Sequence, residues 1–207
     1  MTDINWQKCI DNFITSQREK MEIKKNEFRA SELSGCVRSC VRSRLDLSQI
    51  SVGGKRRMMA GTQMHYFIQQ HVGLGHIGRP VEFEKYVQMP IDDGDGIITG
   101  HIDCWDGDTV WDFKSCSDLS KTLQYPVSIA YIYQLSFYYH AARAQKAVIV
   151  YIDKRDLSVM QVPIVPISFN EIEDFCIKVS FYEEEYRRND SLPDKDDCYA
   201  CRHEETI

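Results

Sequence analysis

The sequence predicts an α/β fold: a mixed central sheet flanked by helices, with a helical N-terminal region and a cysteine-bearing C-terminal tail. Three observations predict it. Five short runs rich in β-branched and aromatic residues lie between positions 81 and 165. Segments of helical periodicity stand before, between and after those runs. Apolar residues fill 43% of 207 positions, enough for one well-buried core and cramped for two.

In chain order, residues 5–30 read as a helix with Trp6, Ile10, Phe13 and Ile14 on one face. "SELSGCVRSCVRSRLDL", opening at Ser31, reads as one or two short helical segments. A break at Gly53-Gly54 precedes a helix from about Lys55 to Val72, which "GLGHIGRP" ends. The five strands are "VEFEKYVQM", "GIITGHIDCW", "TVWDFKSC", "AVIVYID" and "VMQVPIV", bounded by Gly, Asp and Pro. A helix from about Val127 to Ala144 separates the third from the fourth, and a last helix runs from about Asn170 to Arg188. With no internal repeat or low-complexity linker, the chain reads as a single domain, 1–207. Within it, 1–60 is helical and basic, 61–168 is the core, and 169–207 is a helix and tail.

Composition narrows the function classes. No run approaches the ~20 apolar residues that span a bilayer, so no membrane partner is expected. The start, "MTDINWQKCIDNF", lacks a basic region followed by an apolar one, which predicts a cytoplasmic protein with reduced thiols. Eight cysteines in such a chain point to metal ligation rather than disulfides. The net charge of −6 argues mildly against nucleic acid, but it is unevenly placed. Residues 29–57 carry Arg29, Arg38, Arg42, Arg44, Lys55, Arg56 and Arg57 against Glu32 and Asp46, whereas 171–197 is mostly acidic. A local basic patch of this kind binds phosphates, though a solvated basic face has the same composition.

The most informative segment is "GHIDCWDGDTVWDFKSC". Asp106-Gly107 is a hairpin signal. With a two-residue loop, Trp105 pairs with Asp108 and Asp103 lies opposite Val110. Asp103, Val110, Asp112 and Lys114 then share one face, with Asp103 and Asp112 as diagonal neighbours. A three-residue loop would change that parity. Two facing carboxylates repel, and a divalent cation resolves the conflict. Oxygen donors suit Mg²⁺ or Mn²⁺. Lys114 stands where it could stabilise phosphate charge or orient a water. Taken alone, Asp…Asp-x-Lys also describes a solvated surface hairpin.

The surrounding residues resemble the PD-(D/E)XK nuclease superfamily in its RecB-like branch. "GTQMHYFIQQ" supplies a histidine, His65, on a helix before the sheet; Asp103 follows; "WDFK" supplies Asp112 and Lys114; "YQLSFYY" supplies Gln134 and Tyr138. These pieces keep the family order over nearly the whole chain, with Asp at a position where Glu is common. The resemblance implies a restriction-endonuclease-like core. It implies His65, Asp103 and Asp112 as Mg²⁺ or Mn²⁺ ligands, and Lys114, Gln134 and Tyr138 as catalytic. Gln134 and Tyr138 share a helix face. It further implies a phosphate contact by Lys154, to which the basic patch adds Arg38, Arg42 and Arg44 as candidate DNA contacts; Glu82, on the first strand, is a candidate extra acid. Each has a plainer alternative: a core histidine, a packing tyrosine, a solvent-facing lysine.

Cys36 and Cys40 sit four apart, and Cys198 and Cys201 form Cys-x-x-Cys near the end. Four thiolates accept either zinc or a 4Fe–4S cluster. "SELSGCVRSCVR" resembles the cysteine entry motif of CRISPR-associated Cas-four-type nucleases and the AddB nuclease domain, which implies iron–sulfur. That pattern has one N-terminal and three C-terminal ligands. Here the tail offers Cys198 and Cys201, so Cys40 becomes the fourth ligand, with His203 behind it, and structural Zn²⁺ stays open. Cys9, Cys104, Cys116 and Cys176 read as packing residues.

The expected function is therefore a metal-dependent DNA exonuclease acting on single strands or free ends. Recombination, repair, phage DNA metabolism and CRISPR adaptation are the settings the resemblance implies, with helicase, recombination or adaptation proteins as partners. The alternatives are a non-catalytic DNA-binding or assembly module and an iron–sulfur regulatory protein.

Overall fold

The structure is a computed structural model that describes residues 5–16, 26–45, 50–72, 80–91, 95–195 and 201. In order, these form α1 (Trp6–Ser16), β1 (Glu27–Arg29), a 3₁₀ turn (Ala30–Glu32), α2 (Val37–Arg44), α3 (Val52–Phe67), a π turn (Ile68–Val72) and β2 (Glu82–Ile91). There follow β3 (Gly96–Trp105), β4 (Thr109–Cys116), α4 (Leu119–Thr122), α5 (Ile129–Ala141), β5 (Lys146–Asp153), β6 (Val159–Pro163) and α6 (Phe169–Asn189). The five expected strands are present, in a mixed sheet flanked by helices of the restriction-endonuclease-like kind.

Two expectations from the sequence fail at the N-terminal side. Of the helix expected over 5–30, the described residues show α1 over Trp6–Ser16, while Glu27–Arg29 is a sixth strand; residues 17–25 lie outside the described residues. Three residues carry no readable alternation. This strand exists because β3 offers a parallel partner, Phe28 opposite Ile98, and because Phe28 is buried there. On α1, Ile14 is buried while Ile10 and Phe13 are about half exposed, so its expected apolar face is only partly covered. The Gly53-Gly54 pair lies inside α3 rather than before it, because Ser51 caps the helix by accepting from the Gly54 amide.

The sheet carries apolar clusters on both faces. The larger lies under α5 and α6 and includes Phe28, Ile98, Ile102, Leu135, Phe137 and Ile172. Burying side chains such as Leu135 and Phe137 contributes roughly 1.5–3 kcal/mol each. The smaller cluster joins Met64 of α3 and Ile68 to Phe83, Cys104, Phe113 and Val150. At one corner, Arg44 of α2 is buried. Its guanidinium pairs with Glu183 of α6 and Glu32, donates to the Glu27 carbonyl, and lies 4.3 Å from the Phe28 ring centroid. Arg44 thus joins α2, α6 and β1, which corrects its expected place on a DNA-binding face.

Candidate active site

Strand β3 has three partners and only two edges. Residues 97–99 pair with both β1 and β2, and Cys104 and Trp105 pair with both β2 and β4. Strands β1 and β4 therefore share one edge, and Gly100, His101, Ile102 and Asp103 stand in the gap between them. The gap is a fork where β3 and β4 part. Gly100 lets it fill closely: a Cβ there would lie 2.7 Å from Tyr138 Cε1 and 2.9 Å from Ala30 Cβ.

The turn above the fork differs from the two-residue loop expected. Cys104 pairs with Trp111 and Trp105 with Val110, so four residues, Asp106 to Thr109, make the connection. Asp106 builds it: one carboxylate oxygen accepts from the Asp108 and Thr109 amides, and the other from Trp111 Nε1. Gly107 takes φ +92°, where a side chain is strained. Adding two residues leaves the parity unchanged. Asp103 falls at the level of Asp112 instead of Val110, and there it accepts from the Phe113 amide at 2.6 Å instead of continuing the ladder.

Asp112 is 1% exposed. Lys114 Nζ donates to its Oδ1 at 3.1 Å and stands 2.9 Å from Oδ2, off the line of a hydrogen bond. Asp112 Oδ2 is buried with no hydrogen-bond partner. Burial, reinforced by the Asp103 charge and opposed by Lys114, pushes the Asp112 carboxyl up to about 6. Burial alone would lower the Lys114 pKa, but Asp112 outweighs it and the ammonium is held above its usual range. Lys114 also donates to Gln134 Oε1 at 3.2 Å and lies 4.7 Å from the Tyr131 ring centroid. Gln134 Nε2 in turn donates to Tyr138 Oη, whose pKa is raised by burial. Helix α5 thus delivers Gln134 and Tyr138 from one side of the sheet.

From the other side α3 delivers His65. Its Nε2 lies 2.8 Å from the Phe113 carbonyl, which only accepts, so Nε2 carries the hydrogen. Nδ1 is left facing Asp103 Oδ1 at 3.4 Å, and the bond to that carboxylate raises the His65 pKa. Donor atoms of His65, Asp103 and Glu84 lie within 4.8 Å of one another. Asp112 is not one of these three, although the Asp103 charge acts on it. One imidazole nitrogen among carboxylate oxygens, beside a buried oxygen with an unmet lone pair, fits a hard divalent cation such as Mg²⁺ or Mn²⁺.

Glu84 is the residue the sequence reading missed. It nominated Glu82, which is exposed and paired with Lys85. The signal lay in the next hairpin. Ile91 pairs with Gly96, and counting back along both strands brings Glu84 level with Asp103.

Other expected site residues are dispersed. Cys36 and Cys201 are brought together, both buried, with sulfurs 3.5 Å apart. Cys36 also caps α2, accepting from the Ser39 amide. Cys40 lies in the main core with Cys176, and burial pushes its thiol up to about 12. Cys198 and His203 lie outside the described residues. Arg38 donates to the Pro193 carbonyl, and the charge of Arg42 reaches Tyr186 of α6. Lys154 is exposed in the turn after β5.

No family profile and no curated protein matches the chain. Solved structures do. The crystal structure of SSO0001 superposes with a TM-score of 0.63 at 15% identity, covering 98% of this chain and 96% of that one. The alkaline exonuclease LHK-Exo from Laribacter hongkongensis gives 0.54 at 16% identity, over 80% of this chain and 94% of that one. A phage-related exonuclease from Haemophilus somnus 129PT gives 0.50 at 14%, over 86% and 96%. The chain shares their fold. No described helix is long and apolar enough to cross a membrane.

Proposed function

We propose that the chain is a Mg²⁺- or Mn²⁺-dependent deoxyribonuclease that hydrolyses phosphodiester bonds. The observation that carries this reading is Asp112: a fully buried carboxylate with an unmet oxygen, level with Asp103 and tied to Lys114, in a fold shared with two exonucleases. Natural proteins leave few buried polar atoms unpaired, and those that remain call for a role. His65, Asp103, Asp112 and Glu84 would hold the cation. Bound there, it supplies a Lewis acid for the phosphoryl oxygen and eases loss of a proton from water.

The chain's own groups supply the rest. Lys114 is an ammonium at neutral pH and acts as a donor toward phosphate charge, not as a base. Gln134 and Tyr131 hold its ammonium, and Tyr138 accepts from Gln134. The Phe113 carbonyl fixes the His65 tautomer, leaving Nδ1 as the donor.

DNA with a single-stranded end is the proposed substrate, degraded progressively from that end, with Lys154 touching the phosphate backbone. LHK-Exo has been solved in complex with dAMP, a product-sized ligand that supports the exonuclease reading. The setting proposed is recombination, phage DNA metabolism or CRISPR adaptation, with a separate helicase or adaptation protein as partner. Cys36, Cys40, Cys198 and Cys201 are the proposed ligands of a 4Fe–4S cluster that ties the chain's two ends, zinc being the alternative; the meeting of Cys36 and Cys201 supports it. Linear and closed circular single-stranded DNA of matched length, with and without chelator, test the activity. Loss of the linear form alone, only when Mg²⁺ or Mn²⁺ is present, is expected; equal cleavage of both forms would make this an endonuclease. Elemental analysis of anaerobically purified protein should find iron and acid-labile sulfide; stoichiometric zinc without iron would overturn the cluster.

A further inference from the structure

Two backbone irregularities meet beside the fork. The first is in β2. Glu84 takes φ +51°, a left-handed conformation rare for a residue with a side chain and rarer inside a ten-residue strand. The ladder between β2 and β3 pairs every residue from Glu82 to Ile91 except Glu84 with Asp103. The strands also change face at that pair. Phe83 and Cys104 pack with the cluster under α3, whereas Val87, Ile91, Ile98 and Ile102 pack with the one under α5. In regular strands Phe83 and Val87 would share a face, as would Ile102 and Cys104. The kink thus lifts Glu84 out of the alternation beside Asp103.

The second irregularity is the π turn Ile68–Val72 that closes α3. Such turns are rare and cluster at functional sites. Gln69 stands on it, four residues after His65, and its Nε2 donates to Glu84 Oε1. A residue on the widened turn and a residue on the kinked strand are joined by one hydrogen bond. The acceptor belongs to the group of three donors, His65, Glu84 and Asp103, beside the unpaired oxygen of Asp112.

We infer that the π turn and the left-handed Glu84 form one device, in which Gln69 is a positioning residue that holds Glu84 as a cation ligand. Gln69 occupies one carboxylate oxygen and leaves the other for the ion. Its amide carries no charge, so it orients Glu84 without competing with the cation. This inference rests on the cation site proposed above and adds to it the residue that sets its third donor.

The test is Mn²⁺ binding, measured by titration calorimetry on the full chain without DNA. Gln69→Ala and the near-isosteric Gln69→Leu should each weaken Mn²⁺ by about tenfold, as loss of an outer partner of a metal ligand does. Glu84→Ala should weaken it at least as much. The decisive variant is the double, Gln69→Ala with Glu84→Ala, expected within twofold of Glu84→Ala alone because Gln69 acts only through Glu84. Losses that add would show Gln69 working through helix stability and would overturn the inference. So would a wild-type affinity in either Gln69 variant, or in Glu84→Ala. A wild-type chain that binds no Mn²⁺ would instead remove the cation site itself, an outcome distinct from all of these.

Discussion

The chain buries charge in two places, and it treats them in opposite ways. At the α2–α6 corner, Arg44 is surrounded: Glu183, Glu32, the Glu27 carbonyl and the Phe28 ring take up its donors and its charge. In the fork, one Asp112 oxygen accepts a hydrogen bond from Lys114, and the other, though 2.9 Å from the same ammonium, accepts none. Both carboxylates at issue, Glu183 and Asp112, are about equally hidden from solvent. Burial therefore does not separate structure from function here; satisfaction does. A complete network fixes one arrangement, and an incomplete one leaves a strong acceptor that the proposed cation would use.

The sharpest way to break the comparison is to remove each centre in turn. Asp112→Ala should lower nuclease activity by about 10²–10³ or more while far-UV circular dichroism stays unchanged. Lys114→Ala should do likewise. Undiminished cleavage by either protein would remove the fork from the chemistry. Arg44→Ala should do the reverse, leaving Glu183 buried without its partner and lowering stability by roughly 3–5 kcal/mol in denaturant titration. A loss below 1 kcal/mol would mean that water reaches that corner.

A finer distinction comes from Asp112→Asn. The folded, metal-free chain holds a proton on Asp112 up to about pH 6, against 3.8 for the free side chain. The folded state therefore binds the proton more tightly than the unfolded one between those values. Stability from this group falls as pH rises through that window and stays lower above it. Asn carries no charge to desolvate, but it also removes the counter-charge of Lys114. Metal-free Asp112→Asn should therefore lose the fall in stability between about pH 4 and 6 that wild type shows, and Mn²⁺ should no longer raise its melting temperature. An Asn variant with the wild-type pH dependence would show that Asp112 does not titrate in that window.

The same protons compete with the cation. Asp112 is raised to about 6, and the His65 pKa is raised by Asp103. Mn²⁺ affinity should be level at alkaline pH and weaken by up to tenfold per unit for each proton displaced as pH falls through 6. An affinity flat from pH 5.5 to 8 would contradict that coupling. The smallest effect belongs to the surface. Lys154→Ala should weaken DNA binding a few-fold and reduce the salt slope by about 1, with cleavage chemistry unchanged.

How legible the site was depended on distance along the chain. Asp103, Asp112 and Lys114 lie on one hairpin, where period-two alternation places them together. The error was in register, because Asp106 draws Asp108 and Thr109 into a longer turn that no two-residue rule anticipates. It did not matter, since a shift of two preserves the face. Glu84 was hidden for the opposite reason. It lies in an alternating strand, and alternation is what its left-handed backbone breaks. The composition of the basic stretch 29–57 does not record that guanidinium groups serve helix packing as well as phosphate. Arg44 is spent on Glu183 and Arg38 on Pro193.

The sequence by itself determined the order and type of the long elements and the Asp–Asp–Lys constellation. Those follow from periodicity, from turn residues and from carboxylates too close to be stable alone, all properties of neighbouring residues. Only the tertiary structure decided the rest. A three-residue strand exists because β3 had a free edge, and the fork exists because β1 and β4 divide that edge between them. Cys40 went to the core while Cys36 met Cys201 from the far end of the chain. Glu84 came beside His65 and Asp103 through a kink in β2, where Gln69 donates to it. Each of these depends on groups distant in sequence competing for one place, and no local pattern records which of them wins.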